Sequence, residues 1–429
     1  MRDIAVVILA LGGIALALRA PWLGVLVLAF FGYLNPHTYA WGFSRTLPIY
    51  LVLFVVVAIS YLTSSKDRQP IPKDWRIPVF YFLWFWFFVT TLDAINFSLA
   101  WPKLIDVSKI YLPLIFTLLL INTRQKLFYL IAVIAASFGL IAVKGGLFAV
   151  ATGFGYRTLG PEGSHFGGNN EFAVVTLMAI PLVILCLREI TDRRLKLVLM
   201  AAVPLMFASA ISSQSRGALV AMVVLVPLLF WDSKRKYLAL PAIAVGVVLA
   251  LQFLPAEWFA RMHTIRTYEE DASAMGRIEV WRDGLAYALA NPITGGGFQA
   301  WVWVTNRDWH SSYIEALAEH GFVGLFLWLS LIFGTMLSLT RLPRLAKGIP
   351  EMAWVANYAT MLRASLAAYA AGALFLGITY WDLLYHLILI SVLVKKFALD
   401  ELAERQKRTA PVPARAGFGQ APLRPSAAG

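Results

Sequence analysis

The stretch from Leu254 to Leu325, LPAEWFARMHTIRTYEEDASAMGRIEVWRDGLAYALANPITGGGFQAWVWVTNRDWHSSYIEALAEHGFVGL, decides how the rest of the chain is read. One long apolar segment stops at Pro255 and another starts at Gly321. Between them lies the only long polar interval before the C-terminal tail. It carries Arg261, Arg266, Arg277, Arg282 and Arg307, then the run Asp308-Trp309-His310-Ser311-Ser312-Tyr313. A polar interval of this length is either a folded domain or a functional site. To either side the chain is apolar, with short connections.

Working outward, 59% of the 429 residues are hydrophobic and 14% are charged, which excludes an ordinary soluble globular chain. A hydrocarbon core of roughly 30 Å needs about 20 apolar residues per spanning helix. Such segments recur at 4–34, 48–63, 77–94, 105–122, 127–151, 170–187, 196–211, 217–231, 237–254, 322–340, 353–379 and 383–398. The first is interrupted by Arg19 and Pro21, so it is either one broken helix or a hairpin of two. It shows no small-residue cleavage site and leads into further apolar segments, so no cleavable signal peptide is expected. The expected architecture is all-α, a polytopic membrane protein of about twelve transmembrane helices.

The formal net charge of +13 does not point to nucleic acid, because the basic residues fill short loops between apolar segments. Lys66, Arg68, Lys73 and Arg76 fill one such loop; Arg124 and Lys126 fill another. Arg188, Arg193, Arg194 and Lys196 follow, then Lys234, Arg235 and Lys236, then Arg341, Arg344 and Lys347, with Lys395 and Lys396 closing the last segment. Every second loop is basic, and the positive-inside rule assigns those loops to the cytoplasm. The opposite set, at about 35–47, 95–104, 152–169, 212–216, 255–321 and a short turn near Tyr380, is assigned outward. The chain divides into an N-terminal transmembrane region at 1–254, an outward loop with helices at 255–321, C-terminal transmembrane helices at 322–398 and a tail at 399–429. The tail is rich in Pro, Ala, Gly and Arg and is expected to be disordered.

Several outward residues have side chains suited to an anionic ligand. Arg216, in Ser212-Ser213-Gln214-Ser215-Arg216-Gly217, is placed at the membrane interface. It is either a snorkelling arginine or a guanidinium aimed at phosphate, which its planar fork can bind through paired bonds. Arg277 opens a segment with helical spacing, in which Ile278, Trp281 and Leu285 share a face; Arg282 on that segment reads equally as part of a solvated basic face. Thr294-Gly295-Gly296-Gly297-Phe298 is either a flexible turn or a backbone able to approach a ligand closely. His310 precedes an apolar helix entered through Ser311 and Ser312, both suited to N-capping, and imidazole is the side chain that titrates nearest neutral pH. That makes His310 a candidate general base, whereas His320 reads as structural. In the Gly153–Gly168 loop, Arg157 is a further candidate, and Asn170 and Glu171 suit a helix start.

No P-loop, dinucleotide fingerprint, zincin motif or EF-hand appears, and the single cysteine, Cys186, lies in an apolar run. The Glu269-Glu270-Asp271 cluster is the one dense group of carboxylates and reads as a solvated turn. No metal and no cofactor is expected.

The ordered motifs Arg157-x-x-Gly160, Asn170-x-x-Ala173, Ser215-Arg216-Gly217, Arg277-x-x-x-Trp281, Asn291-Pro292 with its glycine run, His310-Ser311-x-Tyr313 and Glu319-x-Gly321 resemble the O-antigen ligase and polymerase superfamily of bacterial inner-membrane glycosyltransferases. One departure is His310-Ser311, where many relatives carry His-Asn. The Asn35-Pro36-His37 stretch looks similar to ligases encoded near exopolysaccharide systems, which leaves the acceptor open.

The resemblance implies a fold of the GT-C type and an active site facing the periplasm. It implies a glycan on undecaprenyl diphosphate as donor and a sugar hydroxyl of lipid A–core as acceptor, within lipopolysaccharide biosynthesis. It maps the invariant histidine to His310 and the diphosphate-contacting arginines to Arg216 and Arg277. Arg157, Arg266 and Arg282 stand behind these, with Ser215, Asn170, Trp281 and Tyr313 lining the substrate. A diphosphate leaves without being protonated, so arginines and one base suffice, and inversion by direct displacement is expected. A polymerase, a protein O-oligosaccharyltransferase and a lipid-linked glycan transporter remain as alternatives, although the charges gather at one surface rather than mid-membrane.

Overall fold

The computed structural model describes residues 1–65, 67–230, 252, 254–256, 258–259 and 272–409. The expected span at 237–254 therefore lies outside the described residues, apart from residues 252 and 254. So do Lys66, Lys234, Arg235, Lys236, Arg261, His263, Arg266, the Glu269-Glu270-Asp271 turn and the tail from residue 410. Among the described residues the fold is helical, with no strand.

Among the described residues, nine helices precede the long interval: α1 (Arg2–Arg19), α2 (Pro21–Tyr33), α3 (Ile49–Thr63), α4 (Arg76–Leu92), α5 (Phe97–Leu120), α6 (Arg124–Ala151), α7 (Asn169–Glu189), α8 (Arg193–Ser212) and α9 (Arg216–Phe230). After it come α10 (Ala272–Ala290), the single turn α11 (Trp301–Val304), α12 (Ser312–Arg341), α13 (Ala353–Gly372) and α14 (Asp382–Thr409). Among the described residues, four stretches, three of them α6, α7 and α8 and the fourth α12 with the 3-10 turn that extends it to Ala346, are long and apolar enough to cross a bilayer; α2, α3, α4 and α9 are shorter apolar helices. The chain is a multi-pass helical membrane protein.

The first apolar stretch is a hairpin. Ala20 is extended (φ −155°, ψ 118°) and Pro21 opens α2, since proline suits the first helical turn but cannot continue α1. Asp3 at the start of α1 accepts from the Gly42 N–H (3.1 Å), the Ser44 N–H (3.0 Å) and the Ser44 hydroxyl (2.9 Å). The N-terminus thus sits at the same end of the bundle as the 35–48 loop.

Loops of the two sets gather at opposite ends. At the basic end, Gln69 donates to the carbonyls of Leu118 and Ile121, Arg124 pairs with Glu189 at 2.7 Å, and Asp74 bridges the buried Arg76 to Lys395 at 2.7 and 2.9 Å. At the other end, Thr158 donates to the Ser209 carbonyl in the last turn of α8, Asn169 donates to the Ser213 carbonyl of the α8–α9 turn, and Thr294 donates to Asp93 at 2.7 Å. Ser312 there ties α12 to the chain that follows α13.

Two departures from helix shape this second end. Gly321 breaks α12 with φ 67°, ψ −173°, a conformation open essentially to glycine alone. The break exposes carbonyls of the 312–320 turns, and the glycine run fills them: Gly296 and Gly297 N–H donate to Ala318 and Glu319 at 2.9 and 2.8 Å. The glycines that were candidates for close approach to a ligand instead approach other backbone. A Cβ on Gly297 (φ 74°) would stand 2.8 Å from Ala94 Cα.

The second departure is at the segment expected to be apolar and continuous over 353–379. α13 ends at Gly372, and residues 373–381 run as a non-helical turn, largely buried apart from Leu374. Such backbone survives at membrane depth only if its polar groups are met inside the protein. Here the Ser312 N–H donates to the Ala373 carbonyl and its hydroxyl bridges Leu376 and Ile378, while Tyr369 and Tyr385 donate to the carbonyls of Ile378 and Thr379. The expectation of a disordered tail from 399 is corrected over its first part: α14 continues to Thr409. Lys396–Asp400 and Arg405–Glu401 pairs at i, i+4 and an Arg405–Glu351 contact support those turns, a charge spacing that composition alone hides.

Candidate active site

Four chain segments far apart in sequence close on one small cavity of about 110 Å³ at the end opposite the basic loops. Its lining includes Asn170 from the first turn of α7, Ser215 and Arg216 at the start of α9, Arg277 from α10, and Phe375 and Leu376 from the 373–381 turn. Local chemistry fixes each position. Ser215 caps α9, its hydroxyl accepting the Ala218 N–H at 3.2 Å, which places Arg216 at the helix entrance. Gln214 before it has φ 54°, allowing the sharp reversal from α8. Gly217 lets the α9 backbone close on Phe375, whose Cβ would lie 3.2 Å from any Cβ there.

Among the described residues, the lining carries two guanidinium groups and no carboxylate. The N-terminal turns of α7 and α9 also face it, and helix N-termini favour negative charge through their unpaired N–H groups and the macrodipole. Both features favour negative charge over positive charge in this space. The cavity suits a compact headgroup rather than a sugar chain.

His310 stands on the same end. It has φ 49°, a left-handed conformation unusual for a residue with a Cβ. Its neighbours hold it there. Trp309 is fully buried, donates from Nε1 to Glu319 at 3.1 Å, and its carbonyl accepts from Trp281 Nε1 at 3.0 Å; Ser311 is buried and its carbonyl accepts the Glu315 N–H. The imidazole itself is half exposed, with Nδ1 4.0 Å from Asp308 Oδ2. A rigid backbone thus presents an accessible base beside a carboxylate able to orient it.

Residues 201–329 match the family described as O-antigen ligase, and residues 1–191 match a family of unknown function, DUF5935. Over residues 201–329 the chain is similar to the O-antigen ligase family. No curated protein matches the chain. The ligase-family region contains Arg216, Arg277 and His310, whereas Asn170 and the 373–381 turn, which complete the cavity, lie outside it.

Around this ligase-family region the other candidate residues separate. Trp281 does not line the cavity; its indole holds the Trp309 carbonyl, and its ring lies 6.3 Å from that of Phe375. Tyr313 turns away, donating to the Ala370 carbonyl at 3.0 Å and packing on Trp328. Arg157 donates from Nε to Gln214 at 3.1 Å and so meets the α8–α9 turn without lining the cavity. Arg282 is largely exposed beside Asp283 at 3.6 Å, in keeping with a solvated face. Arg266 lies outside the described residues. His320 is fully buried between Thr90 and Tyr380, each at 2.7 Å.

Sequence reasoning passed over Glu315 and Glu319 as parts of the site. Glu319 accepts from Trp309 Nε1, the Gln299 N–H and the Tyr380 hydroxyl, at 3.1, 2.9 and 2.7 Å. Glu315 accepts the Thr379 N–H at 3.1 Å. The signal was present: two carboxylates four residues apart in an apolar helix are costly unless they are fully bonded.

Proposed function

We propose that the protein transfers a glycan from a lipid diphosphate to a sugar hydroxyl. The observation that carries this reading is the meeting of Arg216 and Arg277 in one cavity beside the N-terminal turns of α7 and α9. On this reading the two guanidinium groups bind the diphosphate through paired, charge-assisted bonds and take up the charge that develops as it leaves. His310 accepts the proton of the attacking hydroxyl, and Asp308 orients the imidazole. The new glycosidic bond forms as the sugar–phosphate bond breaks, with inversion at the anomeric carbon. The leaving diphosphate needs no protonation, so the chemistry calls for cations and one base. The donor is a glycan on undecaprenyl diphosphate and the acceptor is lipid A–core, with the site on the periplasmic side of the inner membrane. The fold is of the GT-C type with about twelve crossings.

The test is transfer in vitro from undecaprenyl-diphosphate-linked glycan to lipid A–core by the purified chain. Transfer that survives in both His310→Ala and Arg216→Ala would sink the assignment. Transfer to a second lipid-linked repeat or to protein hydroxyls, rather than to lipid A–core, would move the protein to a polymerase or protein-glycosylating role.

A further inference from the structure

The 373–381 turn has two sides. Phe375 and Leu376 line the arginine cavity, while Gly377, Ile378, Tyr380, Trp381 and Asp382, directly after them, line a second cavity of about 530 Å³. This larger space lies between α2, α5 and the start of α14, and most of its wall comes from residues 1–191.

Its chemistry differs from that of the first. The carboxylates of Asp106, Glu315 and Asp382 line it, together with the Lys103 and Lys109 ammonium groups, the His37 and His165 imidazoles and the Trp381 ring; the rest of the wall on α2 and α5 is largely apolar. With charge of both signs on its wall, the cavity offers an anion no net attraction, because each ammonium is offset by a carboxylate. A purely apolar occupant would strip those groups of water and give nothing back. An uncharged ligand with many hydroxyls satisfies both kinds of group: it donates to Glu315 and Asp382, accepts from Lys103, and lays its C–H faces on Trp381 and the apolar wall. The volume falls within the range of sites that enclose small molecules.

The two cavities are mechanically joined. A Cβ on Gly377 would stand 3.3 Å from Asp308 Oδ1 and 3.4 Å from Glu315 Oε1, so this glycine separates the loop of His310 from the floor of the larger cavity. Tyr380, on the cavity wall, donates to Glu319 at 2.7 Å, and Glu319 in turn accepts from Trp309, the residue before His310.

We propose that the larger cavity binds the uncharged, hydroxyl-rich glycan end of the acceptor, and that residues 1–191 therefore select the acceptor while the ligase-family region handles the diphosphate. The role as acceptor site rests on the transfer reading above; the binding itself does not.

The experiment uses the full chain in lipid nanodiscs and three diazirine probes: an octyl glucoside labelled on the sugar, an octyl phosphate and an unsubstituted octyl chain. Crosslinked peptides are mapped by mass spectrometry. The glucoside is expected to label peptides holding His37, Lys103 or Asp382, and the phosphate to label those holding Ser215–Gly217 or Arg277. Glu315→Gln and Asp382→Asn should each reduce glucoside labelling about tenfold, as loss of a charged acceptor does, with phosphate labelling unchanged as the control for folding. Asp382→Asn keeps an acceptor for the Leu383 N–H (2.8 Å), so it remains a fair test if Glu315→Gln fails to fold. Equal labelling of the larger cavity by the octyl or the phosphate probe would overturn the proposal, as would glucoside labelling unchanged in both variants. Absence of phosphate labelling at Ser215–Gly217 and Arg277 would instead overturn the diphosphate reading and leave the glucoside result standing.

Discussion

Replacing His310 by Gly removes both the imidazole and a Cβ held at φ 49°, and the two losses act on different quantities. The side chain is 46% exposed, and its near charged neighbour is Asp308 at 4.0 Å. Exposed pairs of that kind contribute about 0–1 kcal/mol. A left-handed conformation costs an L-residue about 1–2 kcal/mol, which glycine recovers. Glycine gives back about 0.5–1 kcal/mol as extra freedom of the unfolded chain. The terms nearly cancel, so His310→Gly should leave stability within about 1 kcal/mol of the parent. A positioned general base contributes about 10²–10⁴ in rate, equivalent to about 3–5 kcal/mol in the barrier. Transfer should therefore fall by at least about a hundredfold at nearly constant melting temperature, and added imidazole should restore part of it, because the position is open to solvent. His310→Ala should lose the same activity without relief of backbone strain. The assays are thermal unfolding in nanodiscs and a gel-shift assay of glycan transfer. Normal turnover in the Gly variant, or unfolding of both variants, would refute the reasoning; in the second case the histidine would be a structural residue.

Other expectations follow from equally local geometry. Arg216→Lys keeps the charge but loses the planar fork, so KM for the lipid diphosphate should rise about tenfold, and Arg216→Ala should cost more; equal KM values for Arg and Lys would argue against paired phosphate contacts. A Cβ on Gly321 would lie 2.0 Å from the Ile293 carbonyl oxygen at φ 67°, so Gly321→Ala should cost more than about 3 kcal/mol, seen as a large fall in melting temperature; an unchanged melting temperature would contradict the break in α12. Burial would raise the Asp74 carboxyl, but hydrogen bonds and charge from Arg76, with Lys395, hold it at about 2. Because that value lies below the ordinary 3.8, its stabilisation is complete above pH 3.8 and is lost as pH falls toward 2, an effect of about 2 kcal/mol. Unfolding measured across that window should flatten in Asp74→Asn, and an identical pH profile would remove the bridge from the account.

Much of the candidate site was legible because its residues are polar exceptions in an apolar chain. Arg216, Arg277 and His310 could be picked out since guanidinium and imidazole groups are costly near lipid without a purpose, and the alternation of basic loops put them at one end. Trp281 and Tyr313 were picked out by spacing, but their roles were not legible. One holds a carbonyl and the other packs on Trp328, and both depend on partners 28 and 57 residues away. Arg157 and Arg282 show the same limit, since nothing local distinguishes a guanidinium that lines a cavity from one that meets solvent or a glutamine.

The sequence by itself determined that the chain is a helical membrane protein, which loops share an end, and which polar residues stand there. Those properties depend on hydrophobicity, charge and glycine or proline position, all of which act locally. Only the tertiary structure decided that the first apolar stretch is a hairpin, that the glycine run caps a broken helix, and that residues 373–381 leave the helix to divide two cavities. These depend on where distant backbone groups find partners: Ser312 meeting Ala373, Leu376 and Ile378 is what makes a non-helical turn stable inside an apolar environment. No window of sequence contains both halves of such a bond.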